Sequence, residues 1–186
     1  MGRSKRDQVN TPEDVILRRR RALRDRALLI SALQKLAVLI VVVAVLFGVI
    51  FGLTPMKGDD MEPRLSAGDM LIYYRLQKEP SRNDVVVMKR DGKQYVGRLV
   101  GMPGDTLIIR NDGTISIGGS RISEIGIFYD TKPYEKYVKY PVTLQDGQYF
   151  ILADKRDTAM DSRYFGTVER QEIKGKVVTA IRRVSL

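Results

Sequence analysis

Apolar positions are spread unevenly along this chain. Leu36 to Leu53 reads LAVLIVVVAVLFGVIFGL, 18 residues without a charge. A helix needs about 20 apolar residues to cross the hydrocarbon core of a bilayer. Ala27 to Leu33 extends the run, interrupted only by Gln34 and Lys35. A buried core helix is the weaker reading, because no flanking stretch looks able to wrap a helix that is apolar all round. A cleaved leader would carry a shorter apolar stretch, about 7–15 residues, followed by a small-x-small step. The sequence TPMKGDDMEP that follows offers no such step. The pattern predicts an uncleaved transmembrane anchor over 36–53.

Beyond position 54 the pattern changes. Met70–Tyr74, Val85–Met88, Tyr95–Val100, Thr106–Ile109, Tyr149–Leu152 and Lys176–Val184 are short runs of branched and aromatic residues separated by turn signals. Such runs predict strands. Asn111-Asp112-Gly113, then TISI and Gly118-Gly119, reads as a hairpin and its exit. Long helical periodicity and internal repeats are absent. The expected fold is mainly β, preceded by a single membrane helix, with 54–186 as the β domain. Tyr129–Tyr140 stands apart, with four tyrosines and with Lys132, Lys136 and Lys139 in one short stretch. It reads either as a recognition surface, since aromatics are favoured at binding hot spots, or as a solvated insertion.

Charge adds orientation. Residues 1–35 hold ten Lys/Arg and four acids, 10 − 4 = +6 out of a total of +10. The positive-inside rule places this basic arm in the cytoplasm and 54–186 outside the cell membrane. Attraction to anionic lipid accounts for the arginine run, so no nucleic-acid partner is expected. Thr11-Pro12-Glu13-Asp14 reads as a helix start, with Thr11 as N-cap and Pro12 at the first helical position. From there a helix would run into the membrane.

Composition narrows the chemistry. The chain has no His, Cys or Trp. That excludes a Ser-His-Asp triad, a Cys-His dyad, zinc held by imidazole or thiolate, and disulfides. No cofactor or metal is expected. Hydrolysis could still use a Ser or Thr activated by Lys, or paired carboxylates around a water. Asp59 and Asp60 follow the anchor closely; seven residues from Leu53 span at most about 25 Å. Chemistry there would meet segments leaving the bilayer.

Four segments carry a family resemblance. Gly58-Asp59-Asp60-Met61-Glu62-Pro63-Arg64-Leu65, with Gly68-Asp69, resembles the first extracytoplasmic box of type I signal peptidases. Arg82–Val87 is similar to the next box, and Tyr95–Asp105 to the box in which a Lys-Arg pair precedes a Gly-x-Pro-Gly-Asp turn. Ala153–Gly166, ADKRDTAMDSRYFG, is similar to the last. Anchor and boxes come in the family's order over 36–186, and the resemblance implies that family's β-sheet fold.

Two positions depart from it. The family's nucleophilic Ser corresponds to Asp60, and its general-base Lys to Gly97. Gly97 has no side chain to take a proton. Asp60 could attack a carbonyl only to form an anhydride, from which it is expelled more readily than the amine. Losing one member of such a unit typically costs about 10⁶ in kcat. Carboxylate chemistry, Asp60 sharing a proton with Asp59 or Asp154, is the remaining catalytic route. Asp59 is a poor partner if the segment is extended, because adjacent residues then face opposite ways. Ser66 and Ser81 lack an obvious base, and Lys57 or Lys93 cannot be placed. A vacated pocket at Gly97 with Asp60 facing it is expected, with Ser162 retained beside it and nothing to orient. On that view Asp60→Ser with Gly97→Lys would restore weak cleavage. Gly58, Met61, Pro63 and Arg98 are expected along a peptide groove. Asp154, Asp161 and Arg163 are expected as scaffold, the last two as an ion pair.

Signal-peptidase homologues without the dyad resemble accessory proteins of Gram-positive pilus operons. The resemblance implies a non-catalytic chaperone or scaffold in sortase-dependent pilus assembly, with pilin subunits or the sortase as partners. A peptidase using unorthodox carboxylate chemistry on secreted precursors is the alternative.

Overall fold

The computed structural model describes residues 12–77, 79–124, 126–134 and 136–182. They form two units, the first ending at Val45 and the second beginning at Leu46. Thr11, the expected N-cap, lies outside the described residues, as does the end of the predicted strand 176–184.

The first unit is one helix, α1 (Pro12–Val45). It starts at Pro12, whose fixed φ and missing N–H suit the first helical turn. Its first half carries the arginines and its second half the apolar run. An 18-residue window within Val15–Ile50 has mean hydropathy 2.7, and none of it is buried. This helix fits a single-pass membrane anchor.

The second unit opens with a π-helical turn, Leu46–Ile50. Strand β1 (Phe51–Pro55) follows at once and pairs antiparallel with β2 (Met70–Tyr74). Phe51, Gly52 and Leu53, read from the sequence as the end of the anchor, therefore belong to a sheet, where they pair with Tyr74, Tyr73 and Ile72. A β-strand with one apolar face continues an apolar helix without a break in hydropathy, so the boundary is invisible to a running average.

The remaining strands are β3 (Val85–Arg90), β4 (Lys93–Gly101), β5 (Thr106–Ile109), β6 (Ile115–Ile117), β7 (Ser120–Arg121), β8 (Val142–Thr143), β9 (Gln148–Leu152), β10 (Val168–Glu169) and β11 (Ile173–Ile181). A short helix, α2 (Ser162–Phe165), lies between β9 and β10. The larger sheet runs β1-β2-β11-β3-β4-β9-β10 and the smaller β7-β6-β5-β8. The predicted hairpin at 111–113 joins β5 to β6, with Ile108 opposite Ser116.

Strand β9 shows why its sequence is apolar at successive positions. Tyr149 and Ile151 pack with Val86, Met88 and Leu99, whereas Phe150 and Leu152 pack with Val100, Leu107 and Leu144. A strand covered on both faces needs apolar residues at both parities. A third cluster, Met56, Met61, Leu71, Ala153 and Ala159, joins the first box to the last.

The tyrosine-rich segment is tied to the last box by two fully buried arginines. Arg156 donates to the Ala153 carbonyl, to Thr131 Oγ1 at 2.6 Å and to Glu124 Oε1 at 2.6 Å. The Arg163 guanidinium lies 4.5 Å from the Tyr134 ring centroid, and the Tyr134 hydroxyl reaches the Arg156 and Asp157 carbonyls. Breaking a buried ion pair from one side typically costs about 3–5 kcal/mol, because the other charge stays buried. Arg156→Met should lower the unfolding temperature of the full chain in detergent. It should also speed tryptic cleavage at Lys136 and Lys139. Unchanged cleavage would show that the segment is held by other contacts.

Candidate functional site

The first box is a closed loop. At its base Met56 N–H donates to the Asp69 carbonyl and Gly68 N–H to the Met56 carbonyl, both at 2.8 Å. The Asp69 carboxylate accepts from Ser66 N–H at 3.0 Å. Inside the loop Met61 is fully buried and Leu65 N–H returns to the Met61 carbonyl at 3.0 Å. The backbone turns at 59–62, where Glu62 N–H donates to the Asp59 carbonyl. The segment is therefore a turn, so the condition under which Asp59 would face away from Asp60, an extended backbone, is not met. Burial of Met56 and Met61 thus presents Asp60, which is half-buried, while Pro63 stays exposed. The Asp60 carbonyl accepts from Lys155 N–H at 2.9 Å, joining the first and last boxes. Asp60 Oδ2 lies 3.3 Å from the point where a Gly58 Cβ would stand, so glycine there leaves the carboxylate its room.

Position 97 is filled. A Cβ built on Gly97 would meet Ile151 Cγ2 at 2.6 Å and the Leu152 carbonyl oxygen at 3.1 Å. The vacated pocket expected from the sequence is absent, because a branched methyl of β9 takes the space where a lysine stem would begin. Ile151 is 2% exposed, and its N–H donates to Ser162 Oγ at 2.9 Å. Ser162, expected to have nothing to orient, instead fixes the backbone of the residue that fills the site.

Two ion pairs frame this arrangement. Arg98 grips Asp154 with Nε at 2.8 Å and its second nitrogen at 2.5 Å, and its third donates to the Asn83 carbonyl at 2.9 Å. Arg163 grips Asp161 at 2.9 and 2.8 Å. Asp161 also caps α2 by accepting from Arg163 N–H, and it accepts from Ala153 N–H at 3.1 Å. All four residues are buried. The expected Asp161–Arg163 pairing is present, and Asp154 is committed to Arg98.

Burial pushes the Asp60 carboxyl above its ordinary range, the Asp161 and Asp59 charges push it further, and Lys155 opposes them. A raised carboxyl pKa means a weaker nucleophile population at a given pH. The Lys155 ammonium donates to Glu62 Oε2 at 3.2 Å, and that bond above all holds its pKa up. It therefore stays protonated and offers no base. Among the described residues no lysine ammonium bonds a serine or threonine hydroxyl, Ser66, Ser81, Lys57 and Lys93 included. No group of acids there is arranged to hold a metal. The geometry can accept hydrogen bonds from a ligand; among the described residues it assembles no Ser-Lys dyad, and Asp154 and Asp161 are committed to arginines.

Sequence reasoning missed Ile151, Lys155 and the nearness of Asp161 to Asp60. Alternation in YFIL indicates only that Ile151 is inside, and nothing in it says which space the methyl fills.

A family model described as "Signal peptidase, peptidase S26" matches residues 29–181. Signal peptidase I of Bacillus licheniformis is 34% identical over 131 residues, 64% of this chain and 70% of that protein. Signal peptidase IB of Staphylococcus aureus is 30% identical over 147 residues, 68% of this chain and 76% of that protein. A crystal structure of a signal peptidase I from Enterococcus faecalis V583 aligns at 32% identity with a TM-score of 0.45, covering 55% of this chain and 98% of that one.

Two predictions follow from the geometry at positions 60 and 97. Because the folded-state pKa of Asp60 is raised, its charged form opposes folding. The penalty is absent below the ordinary value of 3.8 and grows as pH rises through that value toward the folded one. Asp60→Asn should therefore raise the unfolding temperature at pH 7, with the gain shrinking toward pH 3; a gain independent of pH would contradict the assignment. The double change Asp60→Ser with Gly97→Lys should leave cleavage of a signal-peptide substrate at background, whereas the sequence alone leads to weak restoration. The new stem collides with Ile151, and overpacking of this kind costs about 1–3 kcal/mol. Adding Ile151→Ala should give the first measurable product, by mass spectrometry.

Proposed function

The chain belongs to the signal peptidase family, peptidase S26, and we propose that it is a member that holds polypeptide without cutting it. In this reading it is a membrane-anchored chaperone or scaffold in sortase-dependent pilus assembly, with pilin subunits or the sortase as partners. Its basic arm faces the cytoplasm and its β domain works outside the cell membrane. The observation that carries the proposal is the pair of replacements in one site: a carboxylate at Asp60, and Ile151 Cγ2 in the space of a lysine at Gly97.

Holding needs strand edges. Strand β1 is the terminal strand of the larger sheet, so among the described residues its outer edge has no partner strand. Strand β4 pairs with β3 through Lys93–Arg98, but with β9 only from Arg98 onward. Its second edge is therefore open over 93–97. An extended peptide binds such edges through backbone hydrogen bonds, which ask nothing of the missing dyad.

The relatives' names are peptidase names, and a peptidase reading accounts for them equally well. One observation favours it, the raised pKa of Asp60 beside two further carboxylates. Against it stands the commitment of Asp154 to Arg98 and of Asp161 to Arg163.

The two readings part on Asp60. In a strain lacking the gene, the full chain and its Asp60→Ala variant should both restore high-molecular-weight pilus polymers on an immunoblot. The purified full chain should release no fragment from a signal-peptide substrate. Loss of polymers with Asp60→Ala, together with cleavage by the unaltered protein, would establish the peptidase reading.

A further inference from the structure

The two open edges are tied to each other. Gln94 Nε2, from β4, donates to Thr54 Oγ1, from β1, at 2.6 Å, across 40 residues of sequence. Thr54 is 5% exposed and Gln94 is half-buried. Both belong to one face of the curved sheet. Thr54 precedes Met56 by two positions and Gln94 precedes Val96 by two, and Met56 and Val96 meet in the same apolar cluster. The bond therefore spans the concave side, from the free edge of β1 to the open part of β4.

The size of this gap is set by covalent reach. A glutamine amide, one hydrogen bond and a threonine hydroxyl together let the two backbones stand at most about 10 Å apart. Two strand spacings of about 4.8 Å amount to nearly the same distance. The gap admits one added strand at most, and that strand must run where the Gln94 amide now lies.

We propose that the Gln94–Thr54 bond is a strap across the peptide-binding gap, which an extended polypeptide must break to pair with β1 and β4. The proposal rests on the peptide-holding function above and adds how access to it is controlled. The strap makes the empty groove self-satisfied, since both polar side chains are partly or wholly withdrawn from water and bonded to each other. A guest strand replaces that one bond with several backbone bonds. Affinity for short peptides is thereby lowered relative to long ones, which make enough new bonds to offset the lost one.

The test uses the full chain in detergent micelles and a fluorescein-labelled decapeptide carrying an Ala-x-Ala step. Thr54→Val keeps the shape of the buried side chain and removes the acceptor; Gln94→Ala removes the donor. A hydrogen bond of this type is worth a few-fold to tenfold in an equilibrium. Each variant should bind the peptide roughly three- to tenfold tighter by fluorescence anisotropy. The double variant should be no tighter than either single one, because both remove the same bond. A peptide N-methylated at alternate residues should bind none of them. Equal affinity of wild type and variants for the unmodified peptide would overturn the strap while leaving peptide holding intact. Absence of binding by every form, or equal binding of the N-methylated peptide, would overturn the peptide-holding function and the strap with it.

Discussion

The site is fixed by a charge pair that has nothing to do with proton transfer. Arg98 and Asp154 are both buried, and taking such charges out of water costs several kcal/mol per ion unless their hydrogen bonds are met. Here they are met: Asp154 receives two donors and the third goes to the Asn83 carbonyl. The pair joins β4 to the loop after β9 at the same place where Arg98 lies opposite Leu152 in the ladder. That register is what brings Gly97 against Ile151 and Leu152. Asp161 and Arg163 repeat the device one turn away and set Ser162 beneath the Ile151 amide. Neither pair can lose one partner without leaving a buried charge unmatched, so the frame persists whatever stands at positions 60 and 97.

Within that frame the two replacements act in the same direction. Burial and the neighbouring acid charges make the Asp60 carboxyl harder to ionise than one in water. The nearest ammonium, Lys155, is held protonated by Glu62. A lysine placed at position 97 would meet the Ile151 methyl at its first carbon, so more than two positions separate this site from a Ser-Lys dyad. Ile151 is 2% exposed, so the methyl that meets position 97 belongs to the core. A filled core resists insertion of a larger side chain.

Much of the fold was legible because its signals are local. Branched runs flanked by turns located most of the longer strands, and the Asp-x-Arg spacing announced the 161–163 pair. What was hidden depends on contacts far apart in the chain. Strand β1 merged with the anchor because Phe51 and Leu53 are as apolar as the helix before them. The Arg98–Asp154 pair spans 56 positions and the Arg156–Thr131 bond 25, and neither leaves a periodic trace. Two adjacent aspartates fit a strand or a turn alike, so the sequence left both open at 59–62, where the structure has a turn.

Cutting and holding make different demands on a fold. Acyl transfer needs two side chains placed to within a fraction of an ångström, and either loss abolishes it. Strand addition needs only unpaired backbone groups in register, and these are indifferent to side-chain identity. On the proposed reading, a chain without the dyad that keeps Met56, Met61 and the two ion pairs would lose turnover and keep its edges. For a holder this loss is also an advantage, because hydrolysis would release the bound segment and end the complex. On that reading the contact of Ile151 with position 97 has a physical rationale of its own: it helps to stabilise the sheet that presents those edges.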